Sequence, residues 1–198
     1  FQYPKNTRGL FGYMESRGGI FSHNTLFGLQ YLVHKYLVDP ITLDDVETSR
    51  VFAEKHGLMF NYADWKYISE RYGCLPIRIR AIPEGLVIPV SNVTMTVQSL
   101  DERVPWVESW VETQLMRLWG PSTVAMGSRE AAQVCKKYLT LTSDTPDQDL
   151  LFMVHDFGSR GVTCREQARI LGAPHTLSFR GSDTMVGVEL ANHYYDCD

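Results

Sequence analysis

From residue 26 to residue 37 (LFGLQYLVHKYL) apolar side chains occur nearly all round a helical projection. That pattern predicts a buried helix, with Thr25 placed to cap its start. Thr42 followed by Asp45 resembles a capping box, with Asp in place of Glu, and opens a second predicted helix that ends near Gly57. A third is predicted from Ala63 to Tyr72, stopped by Gly73. The period then changes from helical to alternating. IRIRAI (77 to 82) and VTMTV (93 to 97) alternate with period two across Pro83-Glu84-Gly85 and Pro89, as strands of a mostly antiparallel sheet with one wet face do. Helical spacing returns at about 105 to 119, where Pro105 suits a first turn and Trp106, Trp110, Leu115 and Leu118 form an apolar stripe. A further helix is predicted from about Ser122 to Leu139.

TSDTPDQD (142 to 149) has the composition of a linker. Beyond it the pattern reads strand, loop, helix, twice. LLFMV (150 to 154) is a short apolar run of the kind a strand covered on both faces shows. HDFGSRG (155 to 161) follows, then a helix from Cys164 to Leu171 with Thr163 and Glu166 as a capping box and Gly172 as its stop. TLSFR (176 to 180) is the second predicted strand, Gly181-Ser182-Asp183 the second loop, and 184 to 195 the second helix. Two successive βα units predict a parallel sheet or the beginning of an α/β barrel. The fold class expected is α/β: a mixed α+β N-terminal domain over 1–147 and the first βα units of an irregular α/β barrel over 148–198.

Composition narrows the function. Of 198 residues 44% are apolar, with nine Phe, ten Tyr and four Trp, enough to bury a core. A net charge of −4 without a basic cluster argues against nucleic acid as the main partner. No apolar run reaches the roughly 18 residues that span a bilayer, and the N-terminus does not read as a signal peptide. The four cysteines form no CxxC pair, which argues against a zinc site and fits a reduced, cytoplasmic setting. The sequon Asn92-Val93-Thr94 is taken as chance. The chain begins with Phe1, and its last residues run straight on from a helical pattern, so a piece of a longer protein is expected.

In parallel α/β folds the ligand binds beyond the C-terminal ends of the strands, where both polar loops are predicted. Asp156-Phe157-Gly158 is the tripeptide that holds magnesium in protein kinases. No HRD…N loop, glycine-rich loop or VAIK-type strand precedes it, so a kinase is excluded. Each loop residue has an ordinary reading beside a functional one. Phe157 is a core aromatic or a stacking platform for a planar ligand. Arg160, between Gly158 and Gly161, is a solvated charge or a phosphate fork. Asp183 is an N-cap for the next helix or an acceptor for a ligand's N–H groups. His155 is a satisfied core histidine or a pocket wall. No Ser/His/Asp or Cys/His arrangement is present, and the other histidines have no metal-ligand spacing.

Taken together, QYPKNT and Arg17, FGLQYLVHKYL, LPIRIRAIPEGLVIPVSNVTMTV, WVETQLMRLWGPSTVA with SRE after it, HDFGSRG and FRGSDTMVG resemble the nicotinamide phosphoribosyltransferases along nearly the whole chain. That resemblance implies a type II phosphoribosyltransferase joining nicotinamide to phosphoribosyl pyrophosphate in NAD salvage, as a homodimer with shared active sites. It implies Mg²⁺ with phosphoribosyl pyrophosphate, and admits ATP as an activator. Phe157 would stack on the pyridine ring, and Arg160 would bind phosphates. Asp183 would accept from the carboxamide NH₂, Arg17 would reach phosphates in the neighbouring subunit's site, and His155 would line the entrance. Asp183 and Arg160 would carry catalysis, and no protein metal ligand is implied. Related nicotinate enzymes have Ser-Asn where this chain has Ser182-Asp183, which favours nicotinamide. Other parts of the family's site lie upstream of Phe1 or downstream of Asp198, so the piece alone is expected to be inactive. The alternatives are a nicotinate phosphoribosyltransferase and a non-catalytic module that keeps the scaffold.

Overall fold

The computed structural model describes residues 3–197; Phe1, Gln2 and Asp198, at the outer ends of the two predicted domains, lie outside the described residues. In chain order the elements are β1 (Phe11–Glu15), β2 (His23–Thr25), α1 (Leu29–Leu32) continued by a π-helical turn (Val33–Leu37), α2 (Leu43–Lys55) and α3 (Tyr62–Arg71). Then come β3 (Ile77–Ala81), β4 (Val87–Pro89), β5 (Val93–Ser99), α4 (Val107–Leu115), a 3₁₀ turn (Met116–Leu118) and α5 (Trp119–Thr142). The last part holds α6 (Pro146–Leu150), a 3₁₀ turn (Gly158–Gly161), α7 (Arg165–Gly172), a further 3₁₀ turn (Ala173–Leu177) and α8 (Met185–Tyr195). The chain is mixed helix and sheet, and it forms two compact units.

The first unit takes in residues up to Met14, Leu32–Arg80 and Met95–Leu115. Its sheet has the order β1-β5-β3. The alternation read in β3 is real: Ile77 and Ile79 are half-buried while Arg78 and Arg80 are exposed. Its core gathers Ile68, Val104 and Val107 with Ile41, Trp65 and Trp106. The capping box of α2 forms as expected, Thr42 accepting from the Asp45 N–H and Asp45 accepting from the Thr42 N–H at 2.9 Å. The Thr42 hydroxyl, which donates to the Asp45 carboxylate at 2.5 Å, and then the Thr42 N–H hold that carboxyl below its usual range. Asp101 ties the unit together by accepting from Tyr67 at 2.9 Å and Tyr72 at 2.8 Å.

The second unit contains Glu15–Tyr31, Ala81–Thr94 and the chain from Met116 onward. β2 and β4 pair antiparallel, His23 opposite Pro89 and Thr25 opposite Val87. The core is Phe27, Tyr31, Ala125, Ala173 and Leu190, with Ile170, Tyr194 and Tyr195 against it. Phe27 stacks on Tyr195 at 5.0 Å between ring centroids. Gly187 lets α8 lie on the end of α7, since a Cβ there would meet the Gly172 carbonyl carbon at 2.7 Å.

Several expected elements are displaced, each for a local reason. The helix predicted over 26–37 starts only at Leu29, because Gly28 sits at φ +99° and Thr25 belongs to β2. Its cap is remote: the Glu84 carboxylate accepts from the backbone N–H of Gly28, Leu29 (3.2 Å) and Gln30 (2.8 Å). Pro105 precedes α4 rather than opening it. The linker expected over 142–149 is helical at both ends: α5 runs through Thr142, and Pro146 stands at the first position of α6.

LLFMV and TLSFR are not strands. The first leaves α6 through successive turns, with the N–H groups of Leu151, Phe152 and Met153 each bonded to a carbonyl three residues back. In the second, a 3₁₀ turn over Ala173–Leu177, with Pro174 in its first turn, takes up Thr176 and Leu177. The expected parallel pairing survives as one bridge, Asp156 with Ser182. One pair of short segments gives too few ladder bonds to hold an extended conformation against turns.

Candidate functional site

The two loops expected to carry the site meet along that bridge. The Asp156 N–H donates to Gly181 O at 3.1 Å, and the Asp183 N–H donates to Asp156 O at 2.9 Å. Nearby, the Arg180 N–H donates to Leu151 O at 2.7 Å. These bonds fix HDFGSRG and GSD in register, and the side chains follow. His155 Nε2 lies 2.9 Å from Asp183 Oδ1. The His155 ring lies against Phe157 at 4.6 Å between centroids, tilted by 32°. Phe157, His155 and Asp183 therefore form one continuous group, with Phe157 54% exposed and the Asp183 side chain 64% exposed.

The three ordinary readings of this group fail. Phe157 is not a core residue, and Asp183 does not cap α8. The residue before α8 is Thr184, whose N–H donates to Ser182 Oγ at 3.1 Å. The Asp183 carboxylate is turned instead to His155. His155 is exposed as well, so it is not a core histidine. Arg160 stands exposed on the 3₁₀ turn Gly158–Gly161, and Arg17 is exposed just after β1; neither makes an ion pair among the described residues. The structure brings together Phe157, His155 and Asp183. It leaves Arg160 on the adjoining turn and Arg17 on a separate segment.

Two residues that shape the group were not singled out from the sequence. Asp156 accepts from the Gly158 N–H at 2.7 Å, an Asx-type turn that folds Phe157 and Arg160 outward. Asp-x-Gly was the available signal. The other carboxylate oxygen of Asp156 is buried without a partner among the described residues, close to where a Cβ on Gly172 would stand at 3.3 Å. Gly181 is the second: a Cβ there would approach His155 Nδ1 to 2.6 Å, so only glycine leaves room for the imidazole as it stands. The capping box expected from Thr163 and Glu166 does not form; Cys164 caps α7 instead, its Sγ accepting from the Gln167 N–H at 3.4 Å.

Chemically the group offers a flat apolar platform beside an anionic acceptor. It suits a planar ring bearing N–H donors. A cavity of about 730 Å³ in the first unit, walled by Trp65, Trp106, Trp110 and Phe60, includes none of the predicted site residues. Among the described residues no three His, Cys, Asp or Glu side chains are grouped to hold a metal ion. No helix there is long and apolar enough to cross a membrane. The four cysteines are free thiols.

Comparison with known proteins follows the same line. Residues 1–79 match the family model described as nicotinamide phosphoribosyltransferase, N-terminal domain. The nicotinamide phosphoribosyltransferase of Xanthomonas campestris pv. campestris is 43% identical over 195 residues, covering 98% of this chain and 42% of that protein. The enzyme of that name from Acinetobacter baylyi is 31% identical over 124 residues, 62% of this chain and 24% of that one. The one from Mycoplasma pneumoniae is 29% identical over 117 residues, 57% of this chain and 25% of that one. The chain thus spans less than half the length of these relatives. It belongs to the nicotinamide phosphoribosyltransferase family, whose N-terminal part it carries.

Proposed function

We propose that the whole protein transfers the phosphoribosyl group of phosphoribosyl pyrophosphate to nicotinamide, giving nicotinamide mononucleotide and pyrophosphate in NAD salvage. The observation that carries this reading is the exposed group of Phe157, His155 and Asp183, held in register by the bridge between their loops. The pyridine ring stacks on Phe157 and the carboxamide NH₂ donates to Asp183. Arg160 binds phosphate oxygens, Arg17 serves a neighbouring subunit's site, and His155 lines the entrance. In the same proposal the protein is a cytoplasmic homodimer with shared sites, ATP is admitted as an activator, and residues 148–198 open an irregular α/β barrel.

The chemistry needs no protein nucleophile. Leaving of pyrophosphate from C1′ builds positive charge on the ribose and negative charge on the leaving group, so catalysis rests on positioning and on cations at the phosphates. Mg²⁺ bound with phosphoribosyl pyrophosphate would supply positive charge at its phosphates, and from this chain Arg160 and Arg17 would add to that charge. Asp183 sets the choice of base. Beside it, a nicotinate carboxylate about 4 Å away is disfavoured by roughly 1 kcal/mol if well solvated and about 4 kcal/mol near a protein surface. The amide of nicotinamide is instead a donor to it.

Steady-state kinetics of the full-length protein with phosphoribosyl pyrophosphate, Mg²⁺ and either base tests the reading. Nicotinamide mononucleotide formation with a preference for nicotinamide is expected. A preference for nicotinate removes the role of Asp183, and no product with either base leaves a non-catalytic module.

A further inference from the structure

The imidazole of His155 is a flat nitrogen heterocycle that lies on Phe157 and meets the Asp183 carboxylate through a ring nitrogen. Those are the two contacts assigned above to nicotinamide: a ring on the benzyl platform and an N–H on the carboxylate. Among the described residues His155 is the hydrogen-bond partner of the Asp183 carboxylate, and Gly181 leaves the space that the imidazole fills. We propose that His155 is an intramolecular competitor for the base, occupying both anchor points until nicotinamide displaces it. The inference rests on the nicotinamide reading and adds a regulation of that same site.

The consequence is a population effect. Base binds only to the fraction of molecules in which His155 has swung away, so the apparent dissociation constant is the intrinsic one divided by that fraction. A hydrogen bond to a carboxylate together with a ring contact, both at an exposed position, keeps the open fraction at about a tenth to a third. The charged groups bordering His155 sharpen the expectation. Asp183 faces it from the loop before α8, while Asp156 beside it in the chain is turned to the Gly158 N–H. Arg160 and Arg180 are exposed on the two loops and make no ion pair with His155 or Asp183 among the described residues. Asp183 is thus the charge that responds to the imidazole.

The test uses the full-length protein and two variants, H155A and G181A. The second keeps the histidine and crowds it out of place through the added methyl. Nicotinamide binding is measured by calorimetry, and KM by kinetics, at neutral pH. Both variants should bind nicotinamide roughly threefold to tenfold more tightly than the native protein at neutral pH. Weaker binding in H155A would make His155 a supporting wall and overturn the proposal, as would unchanged affinity in both variants. If native protein turns over neither base, the functional reading has failed, whereas normal turnover with unaltered variants sinks the competitor alone.

Discussion

Replacing Glu84 by Ala should destabilise the second unit more than any ordinary loop substitution, for reasons that can be counted. The carboxylate accepts from three backbone N–H groups at the start of α1 and from the Tyr195 hydroxyl at 2.7 Å. Gln30 is exposed, so its N–H turns to water at little cost. Gly28 is buried and Leu29 and Tyr195 are half-buried, so three donors lose their partner with little water to replace it. At about 1–3 kcal/mol for each unsatisfied buried group, E84A should cost about 2–4 kcal/mol once partial rehydration is allowed. E84Q keeps one acceptor oxygen but no charge, and should cost about 1–2 kcal/mol. Urea unfolding of the full-length protein, followed by circular dichroism, reads both. A cycle with Y195F isolates the Glu84–Tyr195 coupling, which should exceed about 0.5 kcal/mol. A cost for E84A below about 0.5 kcal/mol, the range of an indifferent surface position, would refute the claim that a remote carboxylate caps this helix.

Further outcomes follow from the same geometry. Burial, with the Glu84 carboxylate beside it, pushes the Tyr195 phenol above its ordinary 10.0. The fold therefore favours the neutral phenol, and that stability is intact below about pH 10 and lost as pH rises beyond it; denaturation midpoints should fall there more steeply for native protein than for Y195F. G187A would set a methyl 2.7 Å from the Gly172 carbonyl carbon and 2.8 Å from the Ala173 nitrogen. Backbone cannot step aside as a side chain does, so a loss of about 1–3 kcal/mol is expected in the same unfolding assay. D183N should lower kcat/KM for nicotinamide about tenfold and narrow the preference over nicotinate, as loss of one charge-assisted hydrogen bond does.

What the sequence disclosed was what local chemistry decides. The Thr42–Asp45 cap, the alternation of Ile77 and Ile79 against Arg78 and Arg80, and the helices after each polar loop all appear in the structure close to their expected places. What escaped was decided at a distance. Glu84 caps a helix 54 residues earlier in the chain through Gln30, and nothing in the local pattern around Leu26 announces it. β1, β2 and β4 gave too short or too mixed a pattern to register, being only five, three and three residues long. LLFMV and TLSFR read as strands, but a local pattern does not provide a pairing partner, and Pro146 and Pro174 stand in the first turns of helical segments just before them. At the site, residue types gave Phe157, Asp183 and His155; only the fold shows that the imidazole joins the other two.

The central claim is that Phe157 and Asp183 hold a flat aromatic amide, and a crystal structure of the full-length protein with nicotinamide tests it most directly. The account predicts the pyridine ring against Phe157, with the amide nitrogen about 2.9 Å from an Asp183 carboxylate oxygen and His155 swung off both. A nicotinamide ring bound away from Phe157, with the His155–Asp183 bond still closed, would contradict it.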